Sequence, residues 1–319
     1  MNNTIVLQLQ LQLLLFLSGI KSKISFFINR IKIIFLLTTR FIISKGYITE
    51  LMIITKLLCK LKLIKFWKND LDVVAEENFK CLMGRKPTVS LTWNQVRRIL
   101  LDEGATWGRD KEIEKQITDC AKILDDYVSG LKNKGDTVIL APLHFLSDTI
   151  ATVIASRISP KVSTVIVSNG AEKYREVCSN IESGKLNFCS IHQRDNDFSM
   201  EFIPVINDVM EGKQNIIIFP DIPVDYTKTV SNLSGYKFNC RIFNRAASLH
   251  TGVIRLSNIL SATVVFFYIY YDNGIKIKIL KSVKKDELTH DIHHIIEDAI
   301  KTNPEQWLLW NNHSLFYTH

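Results

Sequence analysis

Thr137-Val138-Ile139-Leu140-Ala141 opens the stretch that decides the fold, and Asn215-Ile216-Ile217-Ile218-Phe219 closes it. Each is a short apolar run, too brief for a helix and bounded by turn-forming residues, so each reads as a buried strand. Between them the pattern alternates. Ser147–Ser156 reads as a helix, Val162–Val167 as a strand and Glu172–Ile181 as a helix. Leu186–Ile191 then reads as a strand and Phe198–Met210 as a helix. Alternation of this kind predicts βαβ units. The expected fold class is therefore α/β: a mainly parallel central sheet flanked by helices, behind a basic, apolar N-terminal helical membrane segment.

Downstream, Pro220 to Phe243 reads as a long loop and Asn244–Leu260 as a helix. Two β-branched and aromatic runs, Ala262–Tyr271 and Ile275–Leu280, meet at Asp272-Asn273-Gly274, a hairpin signal. Helix Asp286–Lys301 precedes the end of the chain. Upstream, Thr92–Glu103 and Lys111–Leu131 carry apolar residues at helical spacing. Residues 69–90 read as a polar transition, with Glu76-Glu77-Asn78 and Gly84-Arg85-Lys86-Pro87.

The charge is unevenly placed. The chain of 319 residues has a net charge of +8. Residues 1–68 hold eleven Lys or Arg against one acid, Glu50, a net of +10 that leaves −2 for the other 251 residues. The cations are interleaved with Ile, Leu and Phe, whereas a nucleic-acid arm is basic and hydrophilic. An anionic membrane is the partner expected of this segment, and nucleic acid is not. Met1–Ile20 is uncharged but contains Gln and Asn, and a spanning helix needs about 20 apolar residues. Spanning and interfacial placements both stay open. The lack of a small-residue cleavage site and the position of the charges argue against a cleaved signal peptide. Two domains follow, an anchoring or interfacial segment over 1–68 and an α/β domain over 69–319. Six cysteines with no CxxC pair read as buried thiols in a reducing compartment, and no zinc-ligand spacing points to a metal.

His144 and Asp148 stand at a strand-to-helix junction, four residues apart. On a helix that spacing shares a face, and an imidazole oriented by a carboxylate can act as a general base. Asp221 follows the second strand; the plainer reading of it is a turn cap in Pro220-Asp221-Ile222-Pro223. Tyr226 and Lys228 lie in the same loop, and Arg194 between the strands could hold a phosphate or a thioester oxygen. No Gly-x-Ser-x-Gly elbow, GxGxxG or Gly-rich Lys loop is present.

Three segments in this order resemble the late acyltransferases of lipid A biosynthesis, the lauroyl- and myristoyltransferase family. They are His144-Phe145-Leu146-Ser147, the strand ending in Phe219-Pro220-Asp221, and Pro304-Glu305-Gln306-Trp307-Leu308-Leu309-Trp310. The family's acid stands five residues after its His, where this chain has Thr149; its terminal His-Arg-Arg is Asn311-Asn312-His313 here. The resemblance implies transfer of a fatty acyl chain from an acyl-carrier-protein or acyl-CoA thioester to a hydroxyl or amine of a membrane lipid, lipid A or another. His144 would be the base, Asp148 its partner and Asp221 a positioning or acceptor-binding residue. Arg194, Tyr226, Lys228 and Glu305 are the candidate substrate-binding residues; the family's Arg between the first two blocks has no secure counterpart, since Arg175 and Arg194 both lie in that interval. No cofactor is implied, and the expected location is the cytoplasmic face of the inner membrane. The alternative is a catalytically inactive, membrane-bound binding protein that keeps the fold.

Overall fold

A computed structural model describes residues 30, 34, 37–61, 70–108, 110–167, 184–190, 195–224, 237–312 and 317. Its centre is a six-stranded sheet built from β1 (Val138–Pro142), β2 (Val162–Val167), β3 (Lys185–Ser190), β4 (Asn215–Ile218), β7 (Thr263–Tyr271) and β8 (Ile275–Val283), in the order β3-β2-β4-β1-β7-β8. All neighbours run parallel except the hairpin β7–β8 at one edge. The expected mainly parallel α/β sheet is the observed one.

Side-chain alternation divides the interior into two layers. Leu140, Ile217, Val265 and Phe267 face one core. Ile139, Ile216, Val264 and Phe266 face the other. The first is covered by α2 (Ile48–Lys60), α4 (Leu91–Glu103), α5 (Lys111–Lys132) and α6 (Asp148–Ser156). The second is covered by α3 (Asp70–Met83), α8 (Gly252–Leu260) and α9 (Lys285–Thr302). A further helix, α7 (Asp195–Met210), packs beside β3. β1 and β4, in the middle of the sheet, are buried along their whole length, so they have no polar side to alternate and read as continuous apolar runs.

The helices before residue 62 are part of this packing. Ile43 in α1 (37–44) and Ile48, Met52 and Cys59 in α2 join the same core as β1 and α5. Gly104 permits the approach, since a Cβ there would stand 2.6 Å from Ile113 Cδ1 and 2.7 Å from Ile48 Cδ1. Arg40 makes two hydrogen bonds to Glu103 and covers the Trp107 ring at 4.5 Å. Among the described residues no helix is long and apolar enough to cross a membrane.

Two elements differ from the sequence reading. Residues 69–90 are not merely a polar transition: α3 forms because Ala75 and Phe79 recur one turn apart and both are buried. The segment read as helix from Asn244 begins instead with a strand. Here β5 (Lys237–Ile242) and β6 (Arg245–His250) form an antiparallel hairpin, and only Gly252–Leu260 is helical. The cause is the two-residue turn Phe243-Asn244, both with positive φ (51° and 60°), the backbone that matches strand twist in a tight hairpin. The thiols also split: Cys59, Cys120 and Cys189 are buried, but Cys81 is exposed.

Candidate functional site

β1 and β4 lie side by side with Leu140 opposite Ile217. His144 and Asp221 each stand four residues beyond that pair, so the two chains leave the sheet level with one another at its carboxyl edge. Ligands of open α/β sheets collect at this edge.

The two side chains meet there. His144 Nδ1 is 2.7 Å from Asp221 Oδ1, and the His144 backbone N–H donates to Asp221 Oδ2 at 3.0 Å. Trp307 Nε1 also donates to Oδ2, at 3.0 Å. Asp221 is fully buried, while His144 retains 12% of its side-chain exposure. With Oδ2 taken by two N–H donors, Oδ1 is left to accept from Nδ1–H. That selects the tautomer whose Nε2 carries a lone pair. Nε2 bonds to no described residue. The imidazole rests against Phe219, ring centroids 4.5 Å apart.

Asp148 is not the partner of His144, contrary to the sequence reading. The one-turn argument needs residues 144–148 to be helical, and they are not. Leu146 has φ of +52° and Ser147 is extended (φ −157°), so the helix begins only at Asp148. Ser147 caps it, its Oγ accepting from Ile150 N at 3.0 Å. A buried non-Gly residue in the left-handed region costs about 1–3 kcal/mol. Leu146 is held there by its N–H bond to Gln306 O at 3.0 Å. The turn thus swings His144 away from α6 and toward β4.

Asp148 belongs to a second cluster behind the turn. It accepts from Arg98 Nη2, and Ser147 Oγ donates to Asp102 Oδ1. Burial pushes Asp102 up to about 7; Arg98 and the Ser147 bond pull the other way, and the Asp148 and Glu103 carboxylates push with it. An acid whose folded pKa is raised binds more protons folded than unfolded, so stability rises as pH falls from about 7 toward 4. We expect Asp102→Asn, which keeps an acceptor for Ser147, to raise stability at pH 8 by on the order of 1–3 kcal/mol. The gain should shrink steadily by pH 5. Urea denaturation of both proteins across this range checks it, and a difference independent of pH contradicts it.

The other residues singled out from the sequence fall in two groups. Arg194, Tyr226 and Lys228 lie outside the described residues. Glu305 is within them, but its Oε1 accepts from Thr88 N and Thr88 Oγ1, both at 2.7 Å, and from Arg85 at 3.0 Å. Burial alone would raise this acid, yet those bonds hold it below the usual carboxylate range. It fastens residues 85–88 to the short helix Pro304–Gln306.

Trp307 is the residue that sequence reasoning misses, because its motif marks no separate role for the indole. The Gln306-Trp307-Leu308 segment is a clamp on the dyad: Leu308 N donates to His144 O at 2.8 Å, Leu146 N to Gln306 O, and Phe145 bridges Trp307. Trp310 secures the clamp through Phe79, at 5.0 Å between rings, and through Asn78 Nδ2, which donates to its carbonyl at 2.8 Å. The signal that could have found Trp307 is the indole N–H itself, which needs an acceptor once buried. In comparison with known proteins, the chain matches no family model and no curated protein.

Proposed function

We propose that the protein transfers a fatty acyl chain from an acyl-carrier-protein or acyl-CoA thioester to a hydroxyl or amine of a membrane lipid. The observation that carries this is the His144–Asp221 pair with Nε2 unengaged at the sheet's carboxyl edge. Nε2 accepts the proton of the acceptor group as its oxygen or nitrogen attacks the thioester carbonyl carbon. The tetrahedral intermediate collapses by breaking the C–S bond, and the thiolate recovers the proton from the imidazolium. Buried Asp221 stabilises that imidazolium and fixes its orientation. The motifs around His144, Asp221 and Trp307 support acyl transfer over other general-base chemistry. The direct test is to incubate the purified protein with radiolabelled acyl-CoA or acyl-carrier protein and a lipid extract. Label in a lipid product supports the reading; no label with either donor removes it.

Met1–Ile20, the stretch considered for a span, lies outside the described residues; the helices that are described offer a face suited to interfacial attachment. Ile53, Ile54, Leu57 and Leu61 are each more than half exposed on the side of α2 opposite its buried residues. Leu37, Phe41 and Tyr47 extend the same character. Lys45, Lys56 and Lys60 are interspersed, with Glu50 the acid among them. Apolar burial plus attraction to anionic headgroups is the binding mode of such helices. Changing Ile53, Leu57 and Leu61 together to Gln should leave the core intact. It should lower sedimentation with phosphatidylglycerol vesicles at least about tenfold. Undiminished sedimentation would rule out this face as the attachment.

A further inference from the structure

Arg97 is the one residue of α4 whose burial the fold does not explain. It retains only 7% of its exposure, yet no carboxylate among the described residues pairs with it. Its neighbour Arg98 takes both nearby acids, Asp102 and Asp148. Among the described residues, the single hydrogen bond of the Arg97 side chain runs from Nη2 to Asn94 Oδ1 at 2.9 Å. Nε is buried without any acceptor among them. The guanidinium lies over the Tyr271 ring, 5.4 Å from its centroid. Burial lowers it to about 10, which leaves it charged at neutral pH.

An uncompensated buried cation costs several kcal/mol. Stacking on a ring returns about 1–2 kcal/mol, and a bond to a neutral amide oxygen adds little more. The balance is unfavourable unless an anion completes the site. A planar guanidinium with N–H donors unused is the group best matched to a phosphate, which accepts two parallel bonds.

The position is also informative. Asn94, bonded to Arg97, donates to Glu305 O. Gln306 makes two hydrogen bonds to the backbone of Tyr271, whose ring lies under the guanidinium. Trp307 donates to Asp221. Three consecutive residues thus connect Arg97 to the dyad, and Glu305 to Trp307 spans at most about 7 Å of chain.

We propose that Arg97 is the receptor for a phosphate group of a substrate, bound on the α4 side of the Glu305-Gln306-Trp307 segment. The site stands on the buried cation; it rests on the acyl-transfer reading only for the identity of the substrate. Both a thioester donor with a phosphopantetheine arm and a phospholipid acceptor carry the required group, and the experiment separates them.

Thermal midpoints are measured for the full chain with inorganic phosphate, coenzyme A or dioctanoyl phosphatidic acid, each against sodium chloride at equal ionic strength. The expected result is a rise of about 3–5 °C at saturation with coenzyme A or phosphatidic acid. A rise with coenzyme A assigns the donor and one with phosphatidic acid the acceptor, whereas a rise with inorganic phosphate alone means an adventitious ion only and overturns the assignment to a substrate. Arg97→Met should abolish the rise, and its own midpoint without ligand should equal or exceed that of the unmutated protein, because it removes a charge the fold does not neutralise. Arg97→Lys keeps the charge but loses the fork and should retain a smaller rise. It decides the matter if the Met variant does not fold. No rise with any of the three probes, or an undiminished rise in either variant, overturns the proposal. A rise without acyl transfer leaves the phosphate site and removes the reaction; transfer without a rise does the reverse.

Discussion

Asp221→Asn is expected to lower acyl transfer at least about 10²-fold, the same order as His144→Ala. The amide oxygen can still accept from two donors, so the fold should survive. It cannot stabilise an imidazolium, and its NH2 group favours the wrong imidazole tautomer. The double variant should cost little more than either single one, because the two groups act as a unit. Asp148→Asn should stay within about threefold of the unmutated rate, since Asp148 faces Arg98 and not the imidazole. The comparison of Asp221→Asn with Asp148→Asn separates the two possible dyads in one assay, with circular dichroism to show that each variant is folded. A large loss in Asp148→Asn and a small one in Asp221→Asn would reverse the assignment made from geometry.

That assignment marks where the sequence stops being legible. The strands can be read because both sheet faces are buried, so Val138–Pro142 and Asn215–Ile218 stand out as apolar runs between polar turns. The end of each strand, and hence His144 and Asp221 as residues at the functional edge, follows from the same pattern. Their contact does not. They are 77 residues apart, and only the pairing of β1 with β4, rather than β2, brings them together. Sequence spacing instead offers Asp148, on a helical geometry that Leu146 and Ser147 break. A left-handed Leu leaves no mark in the sequence, since Gly or Asn is the usual signal for that backbone. The β5–β6 hairpin escapes notice for a related reason: its turn uses Phe243 in place of the expected Asn or Gly.

Trp307 carries the largest expected effect on stability. Trp307→Ala removes a side chain with 4% of its surface exposed, its edge contact with Trp310 at 5.1 Å, and the donor to Asp221 Oδ2. Large-to-small changes of this kind cost about 3–5 kcal/mol. The variant should therefore unfold at markedly lower urea concentration with an unchanged m-value. Trp307→Phe isolates the hydrogen bond, because an aromatic ring remains and the N–H is lost. It should cost about 1–2 kcal/mol, the usual penalty for leaving a buried acceptor short of one donor. On activity the prediction is sharper than on stability. Asp221 would keep its bonds to His144 N and Nδ1 but lose the anchor on its far side, so the carboxylate could rotate out of line with the imidazole. The expected loss in Trp307→Phe is about tenfold in kcat with KM little changed, because the indole N–H acts on the dyad through Asp221. In an Asp221→Asn background the same change should add almost nothing, since the interaction it protects is already gone. Additive losses in that double variant would mean that Trp307 acts on the reaction through something other than Asp221.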